Sequence, residues 1–103
     1  MDKVEDRLAD VSGKIATAVA AVGADSAASP VLAAVVQEFD AKAAKARGVA
    51  AKGPQEARDA VVELEQAGDS AKAAAEADRD ASEATRQAVL DAHLSICMLK
   101  AKL

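Results

Sequence analysis

Apolar residues in the first quarter of the chain recur at alternating steps of four and three: Val4, Leu8, Val11, Ile15, Ala18 and Val22. That spacing lays one stripe along an α-helix, whereas a half-buried strand needs alternation at every second residue. Three heptads of it form a narrow seam suited to another helix. The same stepping returns past the midpoint in Ala57, Val61, Leu64, Gly68, Ala71 and Ala75. Composition points the same way. Of the 103 residues, 29 are alanine, the best helix former, and the strand-favouring Trp and Tyr are absent. The chain is expected to be all-α.

Turn and cap residues divide it. Asp2, with Glu5 three residues later, reads as a capping box opening a helix over 2–22. Gly23 ends that helix, and Ser29-Pro30 supplies an N-cap and a first helical residue for a second helix over 30–47, whose apolar face holds Leu32, Val35, Val36, Phe39, Ala43 and Ala46. Gly48 and Gly53-Pro54 place a turn near residues 48–54. Beyond it, Gly68-Asp69-Ser70 reads as a stop and N-cap separating helices over 54–67 and 70–102. Because Gly68 also lies on the seam, one continuous helix is the alternative. From Ala74 the seam is expected to continue as alanine alone, through Ala77, Ala81, Ala84 and Ala88, letting two backbones approach closely. Together these elements predict one helical domain over 1–103, an antiparallel helical hairpin or an up-down bundle of three to four helices.

The last sixteen residues depart from this pattern, since eleven are apolar and two seams overlap. Val89, Ala92, Ile96, Leu99 and Leu103 form one; Leu90, Leu94, Cys97 and Ala101 form the other. A helix apolar over most of its circumference is either the centre of its own bundle or an interface. Poverty of large side chains elsewhere favours the interface, with Val89, Leu90, Leu94, Ile96, Cys97, Met98, Leu99 and Leu103 as the contact set. The expected partner is another helical protein or a second copy of the chain, a dimer above all.

Charge narrows the partners. The net charge of −4 arises entirely after residue 52, where ten Asp/Glu face six Lys/Arg. A phosphate backbone would be repelled, so no nucleic acid is expected. No segment approaches the roughly 20 apolar residues that span a bilayer, and the first seven residues are too charged for a signal peptide. The expected compartment is the cytoplasm, with leaderless secretion as the alternative. The single cysteine, Cys97, has no internal disulfide partner.

Chemistry-bearing patterns are sparse. His93 and Cys97 share a helix face four residues apart and are the one soft-ligand pair, but a structural zinc site needs four donors. A thiol in an apolar stretch is also a poor nucleophile. Asp78-Arg79-Asp80-Ala81-Ser82-Glu83 begins like a calcium loop, yet it lacks the central glycine and has Val89 at its twelfth position, so a solvated helix face is expected there. Leu90 stands where a Glu-x-x-His motif ending at His93 would need glutamate. Without a phosphate loop or a hydrolase elbow, no catalytic residue, cofactor or resident metal is expected.

These readings predict a non-enzymatic helical interaction or assembly module acting through its apolar seams and C-terminal helix. The alternatives are an amphipathic binder of lipid or apolar surfaces and, behind it, a small-ligand or metal bundle centred on His93 and Cys97. In size and central turn the chain resembles the family of small secreted helical hairpins that carry Trp-x-Gly at the turn and pair as dimers. Here Gly48-Val49-Ala50-Ala51-Lys52-Gly53 stands in place of that motif, and the resemblance extends to architecture alone.

Overall fold

The computed structural model describes residues 3–103. Four helices make up most of that length: α1 (Lys3–Ala24), α2 (Pro30–Val49), α3 (Pro54–Ala77) and α4 (Glu83–Ala101), with a 3₁₀ turn at Ala50–Lys52 between α2 and α3. No strand occurs among the described residues. Asp2, the expected cap of α1, lies outside them.

Long-range hydrogen bonds fix the directions of the helices. Asp25, just past α1, accepts from Thr85 Oγ1 in the first turn of α4 at 2.8 Å. The N–H of Ser29, ahead of α2, donates to Asp78 Oδ2 after α3 at 2.7 Å. At the opposite end, Arg58 in the first turns of α3 donates to the Leu103 carbonyl beyond α4 at 3.1 Å. Successive helices therefore run antiparallel. α1 and α3 each pack against both α2 and α4, which makes an up-down four-helix bundle. Its extents are 41 × 20 × 18 Å. A helix of 24 residues such as α3 is about 36 Å long at 1.5 Å per residue, so the bundle is one helix long and the extended hairpin is set aside.

The first two helices follow the expected seams. Leu8, Val11, Ile15, Ala18 and Val22 of α1 meet Leu32, Val36, Phe39, Ala43 and Ala46 of α2 in the core. Ser29 Oγ accepts from the Leu32 N–H at 3.1 Å, and Pro30 follows as the first helical residue. At the central turn, Gly53 adopts φ 157°, which other residues rarely reach.

The second half of the chain is divided differently from either expectation. α3 runs unbroken through Gly68 and stops at Ala77. Gly68 marks a close approach instead of a break: a Cβ there would lie 3.0 Å from Phe39 Cζ and 3.3 Å from Ile96 Cγ2. The phenyl ring of Phe39 thus fills the space that glycine leaves at the centre of the bundle. The actual break is made by Asp78 and Ser82. Asp78 Oδ1 accepts from the N–H groups of Asp80 and Ala81 at 3.1 and 3.2 Å, closing a local turn. Ser82 Oγ accepts from the Thr85 N–H at 3.1 Å and caps α4. Arg86 then reaches back to the carbonyls of Asp78 and Ala81 at 3.0 and 2.9 Å. The expected all-alanine seam is consequently interrupted, with Ala81 buried, Ala74 and Ala88 half-buried, and Ala77 and Ala84 exposed. Likewise the acidic run 78–83 is no solvated helix face, because Asp78 is buried as the pin of this loop.

Candidate functional site

α4 carries the residues singled out by the sequence, and it presents them on three sides. Val89, Ala92, Ile96 and Leu99, at steps of three and four, enter the core. Three of the expected interface residues, Val89, Ile96 and Leu99, are thereby buried within their own chain. Leu90, Cys97 and Leu103 are half-buried, while Leu94 and Met98 are 58% and 54% exposed.

The flank of α4 that meets α3 is polar. His93 Nε2 lies 2.7 Å from Asp69 Oδ1, and Lys100 Nζ lies 2.7 Å from Glu65 Oε1. Cys97 Sγ sits between these two pairs, 3.5 Å from His93 Nε2 and 3.9 Å from Nδ1. Burial pushes the Cys97 thiol above its ordinary value, and the negative charge of the neighbouring Glu65 carboxylate adds to the shift. The cluster therefore lacks the layout of a nucleophile-base-acid relay. Such a relay needs the nucleophile on one imidazole nitrogen and the orienting acid on the other; here Asp69 and Cys97 both address Nε2, and the thiol is held away from its reactive thiolate form. Among the described residues, no three His, Cys, Asp or Glu side chains hold donor positions around a metal ion in the conformation observed.

The flank that meets α1 is open. A groove of about 770 Å³ runs between the two helices, floored by buried Val11 and Leu99 and walled on the α4 side by Leu94 and Met98. On the α1 side Gly13 widens it, since a Cβ there would meet nothing within 4 Å. Arg7, Asp10, Lys14 and Asp91 line it with charge, and Thr17 lies at one margin. Sequence reasoning passed over the α1 half of this surface. Its one signal was the polar stripe Arg7, Asp10, Lys14 and Thr17, at steps of three, four and three beside the apolar seam. The packing of α3 on α4 brings Asp69 to His93 and Glu65 to Lys100, pairings across helices that the spacing within either helix does not reveal.

The end of the bundle where α1 meets α4 contains a second polar group with a structural role. Asp25 Oδ2 accepts from the Ser82 N–H and from Thr85 Oγ1, both at 2.8 Å, while Oδ1 accepts from the Ala27 N–H at 3.1 Å. These donors, the Ser82 N–H foremost, pull the Asp25 carboxyl from its ordinary 3.8 down to about 2. Asp78 is lowered in the same way, chiefly by the Ser29 N–H. The two carboxylates tie the 25–29 and 78–82 loops together.

This arrangement defines the class: an all-α, up-down four-helix bundle with one polar and one open flank on its last helix. Comparison with protein-family models, curated proteins and solved structures yields no match for the chain. No helix among the described residues is long and apolar enough to cross a membrane.

Proposed function

We propose that the chain is a non-enzymatic helical assembly module whose docking surface is the groove between α1 and α4, and that its occupant is a second copy. The observation that carries this reading is the exposure of Leu94 and Met98 beside a groove that neither helix fills, on a helix whose other large apolar residues are wholly or partly covered. Exposed apolar side chains grouped on one surface, unlike scattered ones, are costly to leave in water.

Charge favours self-association over other occupants. Arg7 and Lys14 balance Asp10 and Asp91 around the groove, whereas the chain as a whole carries −4. Two copies repel across most of their surfaces and meet here without net repulsion. A lipid surface is a poorer fit, because the groove offers two cations and no Trp or Tyr anchor. With only two large exposed side chains per copy, the dimer is a reversible one, with Kd on the order of micromolar.

Static light scattering across a concentration series tests the proposal. The wild-type chain is expected to rise from monomer to dimer mass, and the Leu94→Asp, Met98→Asp double variant to remain monomeric with unchanged helicity. A wild-type chain that stays monomeric throughout, or a double variant that still dimerises, would overturn it.

A further inference from the structure

We infer that the chain is one helical hairpin repeated in tandem, that the inner face of each half is a recognition surface for a hairpin of the same build, and that the core layer around Phe39 makes the unlike halves bind each other. The inference concerns the inside of the bundle and does not depend on the α1–α4 groove.

A single shift in residue number, the 53 that separates Asp25 from Asp78, maps the first half onto the second. It carries the buried seam of α1, Leu8, Val11, Ile15, Ala18 and Val22, onto Val61, Leu64, Gly68, Ala71 and Ala75, all buried in α3. It carries Leu32, Val36, Phe39, Ala43 and Ala46 of α2 onto Thr85, Val89, Ala92, Ile96 and Leu99, the buried residues of α4. Any two amphipathic helices can be aligned by some shift, but here one shift aligns two helices and the loop between them. In that loop Ala24-Asp25 and Ala28-Ser29 recur as Ala77-Asp78 and Ala81-Ser82. The hydrogen bonds recur as well. Asp25 Oδ1 and Asp78 Oδ1 each accept from the N–H two residues on, both at 3.1 Å. Ser29 Oγ and Ser82 Oγ each accept from the N–H three residues on, again both at 3.1 Å.

Between the halves the contacts are reciprocal. Asp25 Oδ2 accepts from the Ser82 N–H at 2.8 Å, and its counterpart Asp78 Oδ2 accepts from the Ser29 N–H at 2.7 Å. Contacts in which one residue meets a second, and the second's equivalent meets the first's, are those of a self-complementary, two-fold interface. The bundle is thus a pair of hairpins that meet through one kind of surface and are joined by the turn at 50–53.

The middle layer breaks this symmetry. Ile15, Phe39 and Ala43 in the first half correspond to Gly68, Ala92 and Ile96 in the second. Phe39 and Ile96 fill the space over Gly68. Two first halves in a pair would set Phe39 against Ile15 where glycine now stands, and two second halves would set Ala92 against Gly68 and leave a void. Overpacking and cavities are both destabilising, so only unlike halves fill the layer.

Exchanging the members of this layer between the halves of the full chain, with thermal melts followed by circular dichroism, tests the inference. Ile15→Gly with Gly68→Ile sets an isoleucine against Phe39 and Ile96 and is expected to lower Tm by at least about 15 °C. Phe39→Ala, Ala92→Phe, Ala43→Ile and Ile96→Ala together are expected to lower it as much. All six substitutions combined rebuild the same layer turned about the two-fold, so the chain should melt above both partial variants and within about 10 °C of the wild type. The inference is overturned if the six-substitution chain fails to fold or melts no higher than the better of the two partial variants, because the halves are then not equivalent. It is also overturned if either partial exchange leaves Tm unchanged, because the layer then does not decide which halves pair.

Discussion

The two flanks of α4 present similar lengths of helix to their neighbours and meet opposite conditions. Toward α3, every polar group of the flank has a partner: His93 meets Asp69, Lys100 meets Glu65, and the Cys97 thiol lies among them. Toward α1, Leu94 and Met98 stand beside Gly13 and the small or charged residues of the α1 surface, and both remain more than half exposed among the described residues. The difference comes from the neighbouring helix. α3 supplies long acidic side chains at the interhelical boundary, whereas α1 supplies glycine at the position where a larger residue would close the gap. One flank is paired within the chain, and the other leaves Leu94 and Met98 exposed beside a groove.

The largest expected effect separates the core face of α4 from its open flank. Ile96→Ala removes a fully buried side chain and is expected to cost about 2–5 kcal/mol in chemical denaturation. Leu94→Ala, on the exposed side, should change the stability of the monomer by no more than about 0.5 kcal/mol. A comparable loss in both would mean that the α1 flank is covered, and the contrast between flanks would fail.

Glycine substitutions sharpen the same comparison at smaller cost. Gly68→Ala improves helix propensity by up to about 1 kcal/mol but sets a methyl 3.0 Å from the fully buried Phe39 ring and 3.3 Å from Ile96, so both must shift to admit it. Overpacking costs about 1–3 kcal/mol, so a net loss is expected in thermal melts. Gly13→Ala meets nothing and should instead gain roughly 0.5–1 kcal/mol while narrowing the groove. If Gly13→Ala destabilised the protein, the open groove beside α1 would be refuted.

The smallest effect is the acid limb. Asp25 is held at about 2, so its contribution to stability is nearly complete above about pH 4 and is lost as pH falls toward 2; Asp78, also held below its ordinary value, loses its contribution in the same direction. Asp25→Asn should flatten the dependence of Tm on pH between 4 and 2 and leave the dimer equilibrium at neutral pH untouched. An unchanged acid limb in Asp25→Asn would show that the tie between the two loops contributes nothing at that end of the bundle.

Much of the helical framework is legible in the residues themselves. The seam of α1, the Ser29-Pro30 entry to α2 and the turn before Pro54 follow from local spacing and cap chemistry. Gly68 is ambiguous in sequence because glycine serves both as a helix stop and as a point of close approach, and only Phe39 and Ile96 lying opposite decide between them. The break at 78–82 was hidden for a related reason. The alanine spacing continues across it, and the carboxylates that stabilise it act over 49 and 57 residues, from Asp78 to Ser29 and from Asp25 to Ser82. The apolar excess of α4 was visible, but its division was not. Which of Val89, Leu94, Ile96, Met98 and Leu99 enters the core depends on where α1 and α3 stand, and that is a property of the bundle.

Nuclear magnetic resonance on dilution tests the contrast between flanks most directly, because each flank carries its own reporter. Met98 is one of two methionines and His93 is the sole histidine. Across a dilution series bracketing the dimer midpoint, the Met98 methyl resonance is expected to move while the His93 ring resonances stay fixed. If the His93 ring shifts and Met98 does not, or if neither moves at any concentration, α4 does not dock a second copy through its α1 flank.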